Sequence, residues 1–198
     1  MRPGARDVAL ASWLAALYAA MVVALAPISF YVVQVRVADA LLPLSMPLGK
    51  PAVVGFTVGY FIGNLFGLDF PFNLVDAILG SVANFLACDI GRWRMEKTKE
   101  LEPRKAFTTT LIMAGVITLV VGTYLPLLLV ACGIPLPFVP TGPIPPLLAF
   151  VLGGWAFVGL GTFLSVSVMG YLLSTAAWRA LTRLGFRASR GTRTTPKR

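Results

Sequence analysis

Long apolar runs follow one another along almost the whole chain, separated by short stretches of charged or turn-forming residues. Five are plain, over residues 8–26, 52–66, 72–90, 107–132 and 146–177, and their lengths suit helices crossing a ~30 Å hydrocarbon layer. The first is long, Ala-rich and lacks a cleavage pattern, so it reads as a retained span and not a signal peptide. A sixth run, over residues 35–48, is interrupted by Arg36 and Asp39. Its helix would be roughly 20 Å long at 1.5 Å per residue, so it needs shelter from neighbours and an outer end opening into a cavity. The last run holds Gly153, Gly154, Gly159 and Gly161, and is expected to bend, tilt or begin with a non-spanning outer segment.

Small and polar residues recur inside these runs at helical spacing. Asp76, Gly80, Asn84 and Cys88 stand every four residues and form one stripe, with Ser81 beside it. Gly55, Gly59, Gly63 and Gly67 form another, next to Asn64; such a stripe reads first as close helix packing. The first run carries two alanine stripes, Ala11, Ala15, Ala19 and Ala16, Ala20, Ala24. One suits internal packing and the other a smooth face for a partner helix, although periodicity alone is equally consistent with ordinary alanine packing.

Ionisable groups inside a membrane are costly and are functional candidates by default. Arg36 and Asp39, three residues apart, would share a helix face and can pair. They read either as a structural ion pair near the outer interface, with Arg36 snorkelling, or as part of a polar site with Asp76. Asp76, Ser81 and Asn84 likewise read as a ligand-binding set or as a helix-end charge with interhelical hydrogen bonds.

Composition narrows the class. Of 198 residues, 57% are hydrophobic and 13% charged, and the mean hydropathy is +0.81, outside the range of ordinary soluble domains. The net charge of +9 sits in blocks that flank the apolar runs and so reads as topology, not nucleic-acid binding. Seven Lys/Arg lie in residues 179–198, six in 92–105, and Arg2 and Arg6 precede the first run. Placing all three blocks inside by the positive-inside rule requires an even number of crossings. The expected fold is therefore an all-α integral membrane protein with six transmembrane helices in one domain, residues 1–178. Both termini are expected in the cytoplasm, and residues 179–198 form a basic, partly disordered cytoplasmic tail. Trp178 and the arginines that follow suit the inner surface and anionic lipid.

The chain has no histidine and two distant cysteines, Cys88 and Cys132, so no zinc site or Cys/His nucleophile pair can be assembled. A GxxxxGK[ST] phosphate loop is also missing. No catalytic residue, metal or cofactor is expected.

The segments APISF, QVRVADALLPL, GNLFG and DAILGSVANFLA resemble the QueT family, the membrane-embedded substrate-binding (S) components of energy-coupling factor (ECF) transporters that take up queuosine precursors. Pro27, Ser29, Gln34, Arg36, Ala38, Asp39, Ala40, Leu41, Asn64, Asp76, Gly80 and Ser81 occupy positions of the family's pattern. The resemblance covers residues 10–92 well and the remainder through run count and loop layout. It implies an S-component bundle of six helices in the plasma membrane and an outward-facing pocket closed by the loop around residues 27–34. It also implies a 7-deazaguanine substrate and docking, partly through the alanine face Ala16, Ala20 and Ala24, onto a transmembrane T subunit driven by two ATPase subunits. On that reading Asp39 or Asp76 accepts from the ring N–H and amino group, Asn64, Asn84 or Gln34 reads the carbonyl, and Arg36 orients Asp39. Phe30, Tyr31 or Trp155 could stack on the base, with core packing the alternative role for each. Many relatives carry glutamate after a glycine in the last helix, whereas here Thr162 follows Gly161, which bears on the identity of the ligand.

Rival readings are an S component for another vitamin or nucleobase, a membrane enzyme such as a lipid-modifying transferase using Asp76 and Asp89 with a metal, and a passive channel or structural membrane subunit. Asp89 lies thirteen residues beyond Asp76, roughly 20 Å along a helix and too far for one site. A channel needs polar residues along its whole length, and here they gather toward one side.

Overall fold

Gly4 opens the first helix: its amide donates to Asp7 Oδ2 at 3.2 Å, tying down one of the donors that a helix start leaves without an intrahelical partner. The computed structural model describes residues 4–25, 36–66, 70–96, 98, 100–133 and 146–184. Helix α1 runs over Ala5–Ala24. Segment α2 is a 3-10 helix over Val37–Leu44 that passes into an α-helical turn over Ser45–Leu48. Gly49, at φ 77°, stands in the left-handed region that glycine adopts without a Cβ clash, and so ends α2 and starts α3, Lys50–Asn64, with Pro51 in its first turn. Helix α4 is Phe72–Glu96, α5 is Pro103–Ala131, and α6 is Leu147–Arg183.

Among the described residues, α1, α5, α6 and Phe72–Met95 of α4 are long and apolar enough to cross a membrane. α3, with 15 residues, and α2 are shorter. The architecture is all-helical among those residues, with six helices, four of them of spanning length.

The burial pattern is the reverse of a water-soluble bundle. On α4 the large residues Leu74, Ile78, Val82 and Phe85 are exposed, while Asp76, Gly80, Ser81, Asn84 and Cys88 are buried. In lipid there is no hydrophobic gain from covering leucine, so association relies on close backbone approach and polar contacts. The glycine stripe of α3 supplies the approach. A Cβ at Gly55 would stand 2.6 Å from the Ala11 carbonyl oxygen, one at Gly59 2.6 Å from that of Ala15, and one at Gly63 2.9 Å from Val22 Cβ. The Ala11, Ala15, Ala19 side of α1 is thus the internal one, and Ala16, Ala20 and Ala24 are exposed. Gly67 lies outside the described residues.

Because backbone, and not a flexible side-chain end, blocks the space at Gly59, Gly59→Ala forces the two helices apart. A loss of about 1–3 kcal/mol is expected, read as a lower unfolding midpoint in detergent; an unchanged midpoint would count against this packing.

α6 is one continuous helix of 37 residues with a π-helical stretch over Phe163–Met169, a widened geometry that often accompanies functional sites. Just past it, a Cβ at Gly170 would lie 2.6 Å from Pro43 Cγ, so α2 rests directly on α6. Toward the other end, Gly122 of α5 and Gly154 of α6 meet backbone to backbone. The helix extends through Arg179 and Arg183, because WRALTR continues the helical hydrogen bonding past the apolar run. Arg92 pairs with Asp89 at 2.7 Å and with Glu96 at 3.0 Å.

Candidate functional site

Arg36 is the residue before α2, in extended conformation at φ −74°, ψ 94°. The helical spacing that would set it beside Asp39 therefore does not apply, and its guanidinium reaches across to two other helices. Its Nη2 donates to Asn64 Oδ1 of α3 at 2.6 Å and pairs with Asp76 Oδ2 of α4 at 3.4 Å. The guanidinium carbon lies 4.8 Å from the centroid of the Tyr60 ring, within range of a cation–π contact. Arg36 thus forms an ion pair across helices with Asp76, and it shares a cavity wall with Asp39. Tyr124 of α5 donates to the other oxygen of Asp76 at 2.7 Å, so both carboxylate oxygens are held by the protein.

Asp39, in the first turn of the 3-10 helix, is 2% exposed. Its Oδ1 accepts from the Tyr18 hydroxyl of α1, and Asn84 Nδ2 of α4 donates to that hydroxyl at 3.2 Å. Asn84 thus stands behind Tyr18, one step removed from Asp39, and its Oδ1 is buried without a hydrogen-bond partner among the described residues. Ser81 Oγ turns back to the Ala77 carbonyl at 2.5 Å, serving its own helix.

A cavity lies where these groups face α5 and α6. One wall is Arg36, Asp39 and Tyr60; the other is Ile117, Val121, Val158 and Thr162. Its volume is about 10 Å³, the size of a single water site. Thr162 Oγ1 donates to the Val158 carbonyl at 2.9 Å and lies 2.9 Å from Thr118 Oγ1, so the apolar wall ends in a neutral hydroxyl pair. A polar wall opposite an apolar one suits a planar ligand with hydrogen-bonding groups along one edge.

Of the residues singled out in the sequence, the structure brings Arg36, Asn64, Asp76 and Asp39 together, with Asn84 behind. Ser81 stays on its own helix, and Gln34, Phe30 and Tyr31 lie outside the described residues. Trp155 does not line the cavity; its indole N–H donates to Thr123 at 2.9 Å. The aromatic ring at the cavity is Tyr60. Tyr18, Tyr60 and Tyr124 went unremarked in the sequence, although a buried tyrosine usually finds a hydrogen-bond partner for its hydroxyl, as Tyr18 and Tyr124 do; the Tyr60 hydroxyl is buried without one among the described residues.

Asp76 and Asp89, the pair an enzyme reading would need, are committed to different arginines, and no group of three or more metal-ligating side chains occurs among the described residues. Comparison with curated proteins and comparison with solved structures each returned no match. A family model does match, over residues 8–178, which takes in all six helices almost entirely. This chain belongs to the QueT transporter family, a family of membrane transporters and not of enzymes.

Proposed function

We propose that the chain is the substrate-binding S component of an ECF importer and that it binds a 7-deazaguanine base, a precursor of queuosine or archaeosine, in the cavity between the α2–α3 and α5–α6 walls. The observation that carries this is the pairing of a buried carboxylate and guanidinium with an apolar wall. The amide–amine edge of a guanine-like base offers two N–H donors to Asp39, and its carbonyl can accept from Arg36. Asp39 is the better candidate of the two carboxylates, because Asp76 already receives Arg36 and Tyr124. A base slides between the walls only if they part by about 3.5 Å, the thickness of one aromatic ring. Gln34, outside the described residues, remains in this proposal as a second reader of the carbonyl.

The same reading places six spans in the plasma membrane with both termini cytoplasmic, as the Lys/Arg distribution suggests. The exposure of Ala16, Ala20 and Ala24 on α1 leaves a smooth strip for a transmembrane T subunit, itself coupled to two ATPase subunits. An S component for another nucleobase or vitamin is the second reading, favoured by Thr162, a neutral residue in the cavity wall at the position where the resemblance led us to expect a carboxylate in many relatives.

The test is native mass spectrometry of the purified protein together with titration by 7-deazaguanine. Saturable binding of the base supports the assignment. A co-purifying ligand that is not a purine-like base, with no response to 7-deazaguanine, would replace it with the second reading.

A further inference from the structure

Tyr18 is not part of the cavity wall, yet it holds the cavity's carboxylate. Its side chain is fully buried, set against Phe56 and Tyr60 at ring-centroid distances of 6.0 and 6.2 Å. A tyrosine hydroxyl has one proton to give, and an ionised carboxylate can only accept. The Tyr18 proton therefore points at Asp39, and Asn84 must offer its N–H to the oxygen of Tyr18. The chain of donation runs one way, from Asn84 to Tyr18 to Asp39.

The terminal torsion of an aspartate is broad. A carboxylate held only by its own side chain can rotate about that bond, and one N–H donor tolerates the rotation. Two parallel donors do not, because both oxygens must lie in the plane of the ligand. A fixed hydroxyl on Oδ1 removes the freedom and leaves the second lone pair of Oδ1 and both of Oδ2 for the ligand.

Building on the functional reading above, we infer that Tyr18, oriented by Asn84, is a positioning residue that sets the plane of the Asp39 carboxylate for two-point recognition of a guanine-type edge, and so sets selectivity for bases that carry the ring amino group.

The experiment titrates the full chain in lipid nanodiscs with 7-deazaguanine and with 7-deazahypoxanthine, which lacks that amino group. In Tyr18→Phe the affinity for 7-deazaguanine should fall about tenfold and that for 7-deazahypoxanthine less than about threefold, narrowing the ratio between them. A purely structural role would weaken both alike, and equal losses, or none, overturn the inference. Asn84→Ser, which shortens the group behind Tyr18, should narrow the same ratio and decides the matter if Tyr18→Phe does not fold. If the wild-type protein binds neither base, the ligand assignment fails and this inference with it; if the wild type binds and the ratio is unmoved, only the role of Tyr18 is lost.

Discussion

Asp39→Ala is expected to lower the affinity for 7-deazaguanine by at least about 100-fold, since two hydrogen bonds to a charged acceptor are removed, each contributing about 1.5–3 kcal/mol. The fold should survive the change. Asp39 sits at the wall of a cavity, and the Tyr18 hydroxyl that loses its acceptor gains space in which a water can stand. Asp39→Asn sharpens the result: the carboxamide is nearly the same size but turns an N–H toward the ligand's own donors, so affinity should stay close to that of the alanine variant. Equilibrium titration of the purified variants, with their melting curves as the folding control, checks this. Near wild-type affinity in either variant would remove Asp39 from the site and with it the orientation proposed for the base.

Arg36→Met should have the largest effect on stability. The substitution leaves Asp76 buried with only the Tyr124 hydroxyl as an observed partner, and stranding one member of a buried ion pair costs about 3–5 kcal/mol. If the loss comes from the uncompensated charge and not from packing, it should be reversed by removing the charge. In Arg36→Met/Asp76→Leu most of the stability should return, because a hydrophobic pair of similar volume is often as stable as the ion pair it replaces. A double-mutant cycle on the unfolding midpoint measures this. Additive losses would mean that Arg36 and Asp76 do not act as a pair. The double variant should still bind poorly, since Asn64 and Tyr60 lose the guanidinium that bridges them.

The two predictions separate roles that the residue types alone do not separate. Both aspartates are buried and within reach of one arginine, and both matched the same description in the sequence. They differ in what already occupies their oxygens. Asp76 has both oxygens engaged, by groups from α5 and from the residue preceding α2, and thereby ties three elements together; Asp39 is held on one oxygen and faces the cavity.

The stripes read from the sequence correspond to real surfaces. Asp76, Gly80, Asn84 and Cys88 are all buried on one side of α4, and the glycines of α3 meet the alanines of α1 at backbone distance. Both follow from the helical repeat, which places residues four apart on one face whatever the rest of the chain does. The same logic does not reach Arg36. It precedes the helix, its backbone is extended, and the spacing rule ends one residue too early. The tyrosines escaped for a different reason: Tyr18 and Asp39 are 21 positions apart, Tyr124 and Asp76 are 48, and no local pattern records a contact made that far along the chain. The π-helical stretch of α6 was equally hidden, because its sequence is as apolar as the helix on either side.

The amino-acid sequence by itself determined that the chain is helical, that its helices are apolar outside and small or polar inside, and which faces carry glycine, alanine and ionisable groups. These depend on backbone geometry and on the cost of polar groups in hydrocarbon, both of which act residue by residue. Only the tertiary structure decided that Arg36 pairs with Asp76, that Tyr18 donates to Asp39, and that the apolar wall of α5 and α6 faces them across the cavity. Those pairings depend on the rotation and depth at which each helix packs, and these are set by the summed contacts of all the helices together.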